Sequence, residues 1–296
     1  MITGAAGFVG GHLTEHLVAA GDEVVGIDRT EGPDLLDADG IARTIADVAP
    51  DVVYHLGGWS DVGGSWNDPV TVLRVNAEGT LNVLEGSRPV GCRVLVVSSA
   101  EVYGRVEPGE LPLTESTPVR PVSPYAASKA AAELLATQAW LGYGLPTIAA
   151  RSFNNIGPGQ SERFVAPALA ARIARNELAG EAVVAVGNVT PRRDFTDVRD
   201  VVRAYRLLAT DGDPGGTYQV CSGADSSIRE LAEALVGRAE TPMHLEADPD
   251  LQRPVDVPVL RGDPTRLQQA TGWKPEISIE QSLDDLLTEW RREVRS

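Results

Sequence analysis

Lysine is nearly absent from this chain: of 26 basic residues, all but Lys129 and Lys274 are arginine. A sequence that avoids the ammonium almost everywhere has a reason to keep one. Cysteine is equally scarce. Cys92 and Cys221 are the only two, and neither sits in a metal or thiol-redox spacing, so no disulfide framework is expected and a reducing compartment fits. No apolar run approaches the ~18 residues of a membrane span. The opening Met1-Ile2-Thr3-Gly4 has no basic stretch leading into an apolar one, so no leader is expected either. The expected location is therefore the cytoplasm. Positive charge is also short: 26 basic against 42 acidic residues give a net charge of −16. Such a surface repels phosphate backbones and excludes nucleic acid as the expected partner.

What remains is ordinary globular material. The 296 residues, 43% of them hydrophobic, are enough for a sizeable core. In the first half, short apolar runs alternate with helical stretches. Val24–Asp28, Val52–Leu56, Val94–Ser98 and Thr147–Ala150 read as buried strands, with helices near 10–20, 41–48, 68–86 and 124–140. Crossovers of this kind produce a doubly wound parallel α/β sheet of Rossmann type. After Arg151 the pattern changes. The segment Asn154 to Gly159 reads as a loop, followed by helices over 164–176, 198–208 and 279–292 and one capped by Ser227. Expected strands cover 182–186 and 218–221, and the Pro-rich 249–264 is expected to be extended. The expected organisation is a dinucleotide-type domain over 1–152, with 194–222 returning to it, and a smaller α/β lobe from 153–193 and 223–296.

Gly4, Gly7 and Gly10 open the chain as G-x-x-G-x-x-G, with Phe8 and Val9 between the last two. Glycines permit a tight turn and close approach of a pyrophosphate to the start of the next helix. The strand after that helix ends in Asp28, whose carboxylate suits a ribose diol and favours NAD over NADP; Arg29 beside it keeps NADP in play. One feature is anomalous. Only Met1 and Ile2 precede the loop, where a full central strand is expected. Either the native start lies further upstream, or the dinucleotide site is altered and the neighbouring strands pair differently.

Ser99 and Glu101 follow an apolar strand, at the sheet edge where open α/β folds bind ligands. Tyr125 and Lys129 are spaced i, i+4 and share a helix face. An ammonium near a phenol stabilises the phenolate and lowers its pKa from about 10. The tyrosine then moves a proton on or off a sugar hydroxyl while hydride leaves the same carbon, with Ser99 hydrogen-bonding the reacting oxygen. His12 and His16 share a face of the first helix but lack a third ligand, so no metal site is assigned.

Together, TGxxGxxG, Ser98–Gly104 and YxxxK resemble the extended short-chain dehydrogenase/reductase family. His55–Trp66, Phe153–Gln160, Val186–Asn188, Arg192–Val198 and Arg253–Pro258 are similar to the GDP-mannose 4,6-dehydratases and, more closely, the GDP-4-keto-6-deoxymannose reductases. That resemblance implies Ser99, Tyr125 and Lys129 as the catalytic set and NAD(P) as cofactor. It implies Asp34 and Leu35 at the adenine and Leu56 and Gly57 along the cofactor cleft. Ser60, Asn154, Asn188, Arg193, Arg253 and Asp256 would hold a GDP-sugar, the arginines through the diphosphate. A surface salt bridge is the other reading of Arg192 and Arg193. In related dehydratases the residue at Glu101 is the C5 base, which keeps dehydration open beside a polar helper role. Helices 68–86 and 124–140 form a dimer interface in the family, so a homodimer is expected. Gly57-Gly58-Trp59 departs from the usual Leu-Ala-Ala, and the tryptophan is a candidate to reshape the nicotinamide pocket.

The leading expectation is thus a GDP-hexose enzyme acting at sugar C4 with NAD(P). The short N-terminus motivates a second, a redox-neutral isomerase or pyranose–furanose mutase without dinucleotide, in which a divalent cation neutralises the diphosphate. A nucleotide-sugar sensor on a reused scaffold is the third.

Overall fold

A computed structural model describes residues 1–251 and 257–295, so Arg253 and Asp256 lie outside the described residues. The chain runs β1 (Ile2–Thr3), α1 (Phe8–Ala19), β2 (Gly26–Ile27), α2 (Ala38–Val48), β3 (Val52–His55), α3 (Pro69–Leu73) and α4 (Gly79–Ser87). It continues through β4 (Arg93–Ser99), α5 (Pro124–Tyr143), β5 (Thr147–Ser152), β6 (Asn154–Ile156), α6 (Val165–Ala179), β7 (Val183–Val186) and β8 (Arg192–Asp197). Then follow α7 (Val198–Asp211), β9 (Thr217–Val220), β10 (Asp225–Ser227), α8 (Ile228–Val236), β11 (His244–Ala247), β12 (Val259–Leu260), α9 (Thr265–Thr271) and α10 (Ile279–Glu293).

Six parallel strands form the large sheet in the order β2-β1-β3-β4-β5-β9, as the alternation of apolar runs and helices requires. The pleat sends Leu95 to the side covered by α1 and α7, where it meets Leu13, Val201 and Tyr205. Val94 and Val96 point the other way, to Ile41, Val83 and Ala136 on α2, α4 and α5.

The short first strand does not displace its neighbours. Ile2 and Thr3 pair with Gly26 and Ile27 on one side and with Tyr54 and His55 on the other. The Met1 amine donates to the Val52 carbonyl at 2.8 Å, and Tyr54 N–H donates to the Met1 carbonyl at 2.9 Å. The expected mispairing is therefore corrected: β1 occupies the sheet interior and supports the glycine loop. What does change is β2. As an edge strand beside a two-residue partner it can pair over only two residues, so Val24 and Val25 lie outside it and Val25 is 37% exposed.

The second lobe has β10-β8-β12 as its sheet, with β6 also paired to β8. Asn154–Ile156, expected as a loop, is thus a strand, because its backbone pairs with Phe195–Asp197. Helices α6, α8 and α10 bury Ile173, Leu231 and Leu286 around Phe195. Two expected boundaries shift. The return to the large sheet begins at Val198, since β8 belongs to the small sheet. Within 223–296, Leu267 and Trp273 pack with α7 against the large sheet, so α9 returns as well.

Candidate active site

The large sheet reverses its order between β1 and β3, and the glycine loop and Leu56-Gly57-Gly58 leave the C-terminal ends of those two strands. Ligands of open α/β sheets enter at such a crevice. Gly4 has φ +74°, and a Cβ there would lie 2.8 Å from the Gly57 Cα. Side-chain-free backbone on both walls is therefore what lets the loop and the end of β3 meet. Gly7 is the N-cap of α1 and has no side chain to cap it, which leaves the helix start to an anionic group. Leu35 packs against Gly57 and Gly79, while Asp34, next to it, is exposed. Asp28 is half-buried just past β2, and Arg29 is exposed. Phe8 reaches toward Gly159 on the opposite wall and Val9 packs into the core beneath the loop. These residues form a cradle that fits a dinucleotide.

Below it, Thr3, His55 and Thr80 form a buried chain: Thr3 Oγ1 lies 2.7 Å from His55 Nδ1, and His55 Nε2 lies 3.0 Å from Thr80 Oγ1. Burial and the nearby Lys129 charge push the His55 pKa down to about 3, so the ring is neutral. Below pH 6.5 the unfolded imidazole takes up a proton that the folded one refuses. The unfolded state then binds more protons, and stability falls as pH falls. Between pH 7 and 5 the wild type is expected to lose about 2 kcal/mol more unfolding free energy than His55→Gln. Denaturant titrations of both proteins at the two pH values check this; equal losses would contradict it.

The residues expected to react gather at the end of β4. Ser123 caps α5 by accepting from Ala126 N–H at 3.1 Å, and Pro124 fits the first helical position. That places Tyr125 in the first turn, buried, beside Ser99. Lys129, one turn on and also buried, donates from Nζ to the Val97 carbonyl at 2.9 Å. Glu101 follows Ser99 and its charge bears on Tyr125. Burial dominates the electrostatics. It pushes the Tyr125 phenol up to about 12, against the opposing pull of Ser99, and pulls the Lys129 ammonium down to about 8. The expected lowering of the phenol is thus corrected for this state. The cost of an unhydrated phenolate outweighs the help of Ser99, and the ammonium is engaged by a carbonyl.

Asn76 was not anticipated. Arg74–Glu78 forms a single π turn between α3 and α4, a local insertion that often marks functional sites. It turns Asn76 inward, where Nδ2 donates to Ser128 Oγ at 2.8 Å and Oδ1 accepts from Trp59 N–H at 2.7 Å. Ser128 in turn donates to the Tyr125 carbonyl at 2.7 Å. A Cβ on residue 58 would lie 2.7 Å from the same Asn76 oxygen, which accounts for Gly58. The Trp59 indole N–H donates to the Asp61 carbonyl at 2.8 Å and the ring lies against Gly64. It is folded onto its own turn rather than set to reshape the crevice.

The residues expected at the GDP-sugar are spread over both lobes. Ser60 is exposed beyond β3, and Asn154 is half-buried on β6. Asn188 is exposed, and its side chain accepts from Thr190 N–H at 3.1 Å. Arg193 is buried and donates to the Val257 carbonyl at 2.7 Å, whereas Arg192 forms the surface ion pair with Asp225 and Glu230.

A family model described as GDP-mannose 4,6 dehydratase matches residues 30–286. The chain belongs to that family. It is 40% identical to the GDP-6-deoxy-D-mannose reductase of Pseudomonas aeruginosa, over 99% of this chain and 97% of that protein. The solved structure of RMD from Pseudomonas aeruginosa, complexed with NADPH, superposes with a TM-score of 0.89 at 38% identity, covering 99% of this chain and 98% of that one. The Thermus thermophilus UDP-glucose 4-epimerase, complexed with NAD, gives a TM-score of 0.87 at 31% identity, with 98% of each chain covered. The resemblance carried by the sequence motifs is borne out, and so is the Rossmann-type fold.

Proposed function

We propose that this enzyme reduces the 4-keto group of a GDP-linked 6-deoxyhexose. The observation that carries the reading is the placement of buried Tyr125 beside Ser99 at the C-terminal edge of β4, with Lys129 one turn on, in a chain whose 40%-identical relative is a GDP-6-deoxy-D-mannose reductase. NAD(P)H, when bound at Gly4, Gly7 and Gly10, supplies the hydride to C4. Tyr125 gives its proton to O4, a role that suits a phenol protonated at neutral pH. Ser99 donates to the same oxygen, and Lys129 steadies the charge that remains on the tyrosine. Asp28 favours NADH. Mixing the purified protein with GDP-4-keto-6-deoxymannose and either NADH or NADPH is expected to deplete the nicotinamide absorbance, faster with NADH. No depletion with either would refute the reading. Glu101, two residues after Ser99, favours dehydration as a second activity; formation of a 4-keto product from GDP-mannose tests it.

The same proposal includes a homodimer. Val70, Leu73 and Leu81 beside α3 and α4, and Leu134 and Leu141 on α5, are exposed apolar side chains on neighbouring helices, a surface that suits a second copy. Sedimentation should give twice the 31.4 kDa chain mass. A monomer at micromolar concentration would refute it. The two buried unpaired cysteines fit a cytoplasmic setting.

A further inference from the structure

One buried ion pair lies directly behind the reacting groups. Glu133 is one turn beyond Lys129 on α5, and Arg151 is on β5; their side chains are 10% and 7% exposed. The Arg151 Nε lies 3.0 Å from both Glu133 oxygens, and its Nη2 pairs with one of them. The same carboxylate accepts from Ser98 Oγ at 2.9 Å. Ser98 immediately precedes Ser99, and successive strand side chains face opposite ways. Tying Ser98 to α5 therefore fixes the way Ser99 must face. On its other side, Arg151 Nη1 donates to the Tyr103 hydroxyl at 2.9 Å and the Glu115 carbonyl at 3.1 Å. Tyr103 ends the short 3₁₀ turn that carries Glu101, and Gln219 on β9 donates to its hydroxyl at 2.6 Å. One pair thus binds β4, α5, β5 and the Glu101 turn to each other.

We propose that Glu133 and Arg151 are positioning residues, a charge-neutral brace that sets Ser99 and Glu101 against Tyr125 and Lys129. The inference rests on the reading of the site given above. Replacing such a pair by apolar groups often leaves a fold intact, so stability alone does not account for it. The neutrality matters because Lys129 shares its helix face with Glu133. Burial lowers the Lys129 ammonium, and the paired carboxylate and guanidinium add no net charge beside it. The other titratable groups facing Lys129 and Tyr125 are neutral His55 on β3, whose ring senses Lys129, and Glu101 after β4 and Tyr205 on α7, which bear on Tyr125; the Tyr205 hydroxyl bonds Ser152.

The test exploits the scarcity of lysine. With ¹³Cε-lysine labelling, only Lys129 and Lys274 give signals, and Lys274 serves as the internal control. Glu133→Gln leaves an unpaired cation and is expected to lower the Lys129 midpoint by about one pH unit. Arg151→Met leaves an unpaired anion and should raise it by about as much. The apolar double variant E133L/R151M should leave the midpoint near that of the wild type. It should also lower kcat roughly 10²-fold at unchanged KM, because the reacting groups lose their alignment. Midpoints that coincide in the two single variants would overturn the proposal, as would a folded double variant with kcat within about twofold of the wild type. Where a single variant fails to fold, the double variant decides. Absent wild-type turnover defeats the reading of the site, while the Lys129 titrations still judge the brace.

Discussion

Tyr125→Phe is expected to lower kcat by roughly 10³-fold while KM changes less than about threefold. The variant removes one hydroxyl and keeps the ring, which is 8% exposed at the start of α5. Packing of α5 against β4 is untouched, and Asn76, Ser128 and the Tyr125 carbonyl keep their hydrogen bonds, because none of these involves the Tyr125 side chain. What disappears is the proton given to the reacting oxygen. Hydride transfer to a ketone without a proton donor leaves an alkoxide in a buried site, which is why the loss should fall on kcat. Steady-state kinetics with matched thermal unfolding checks it. A folded variant within about tenfold of wild-type kcat would assign the proton to another group, and Glu101, whose charge bears on Tyr125, is the first to examine.

The features of this site that are local in the chain are legible in the sequence. The glycine loop, the strand leading to Ser99 and the helix face shared by Tyr125 and Lys129 each depend on residues within a few positions of each other. Ser123 followed by Pro124 marks the start of α5 in the same local way. Features made by distant partners were not legible. Two residues before a glycine loop look like a broken strand, and only pairing with Gly26–Ile27 and Tyr54–His55 makes Ile2–Thr3 part of the sheet. Asn76 was hidden because a single π turn leaves the apolar pattern of residues 68–86 almost unchanged while rotating one side chain inward. The polar Asn154–Ile156 carries no strand signal of its own; its partner β8 lies some forty residues on. The phenol's ionisation is hidden for a related reason. Spacing shows that a lysine is near a tyrosine, but not how deeply both are buried.

Gly10→Ala is expected to weaken NAD(P)H binding by roughly 10²-fold, because it removes the close backbone approach on which the cradle depends. A Cβ at residue 10 would lie 2.1 Å from the Gly4 carbonyl oxygen and 2.8 Å from Ala5 Cα. Neither neighbour is the free end of a side chain, so the loop itself must move. Gly4 is held at φ +74° against Gly57, with its N–H bonded to the Ile27 carbonyl at 2.8 Å. Displacing it therefore shifts the wall made by Leu56 and Gly57 as well. Gly11→Ala is the matched control. Nothing lies within 4 Å of its Cβ position, and alanine should slightly stabilise α1. Calorimetric titration of both variants with NADH and NADPH separates the two effects, with GDP binding as the measure of an intact second lobe. Cofactor affinity equal to wild type in Gly10→Ala would place the dinucleotide elsewhere. Loss of both ligands would mean that the change propagates through α1 to α7, which packs beside it on the sheet and leads out of β8. Loss of the dinucleotide alone, with Gly11→Ala unaffected, would tie its binding to the turn between Gly4 and Gly10 and to the two-residue strand beneath it.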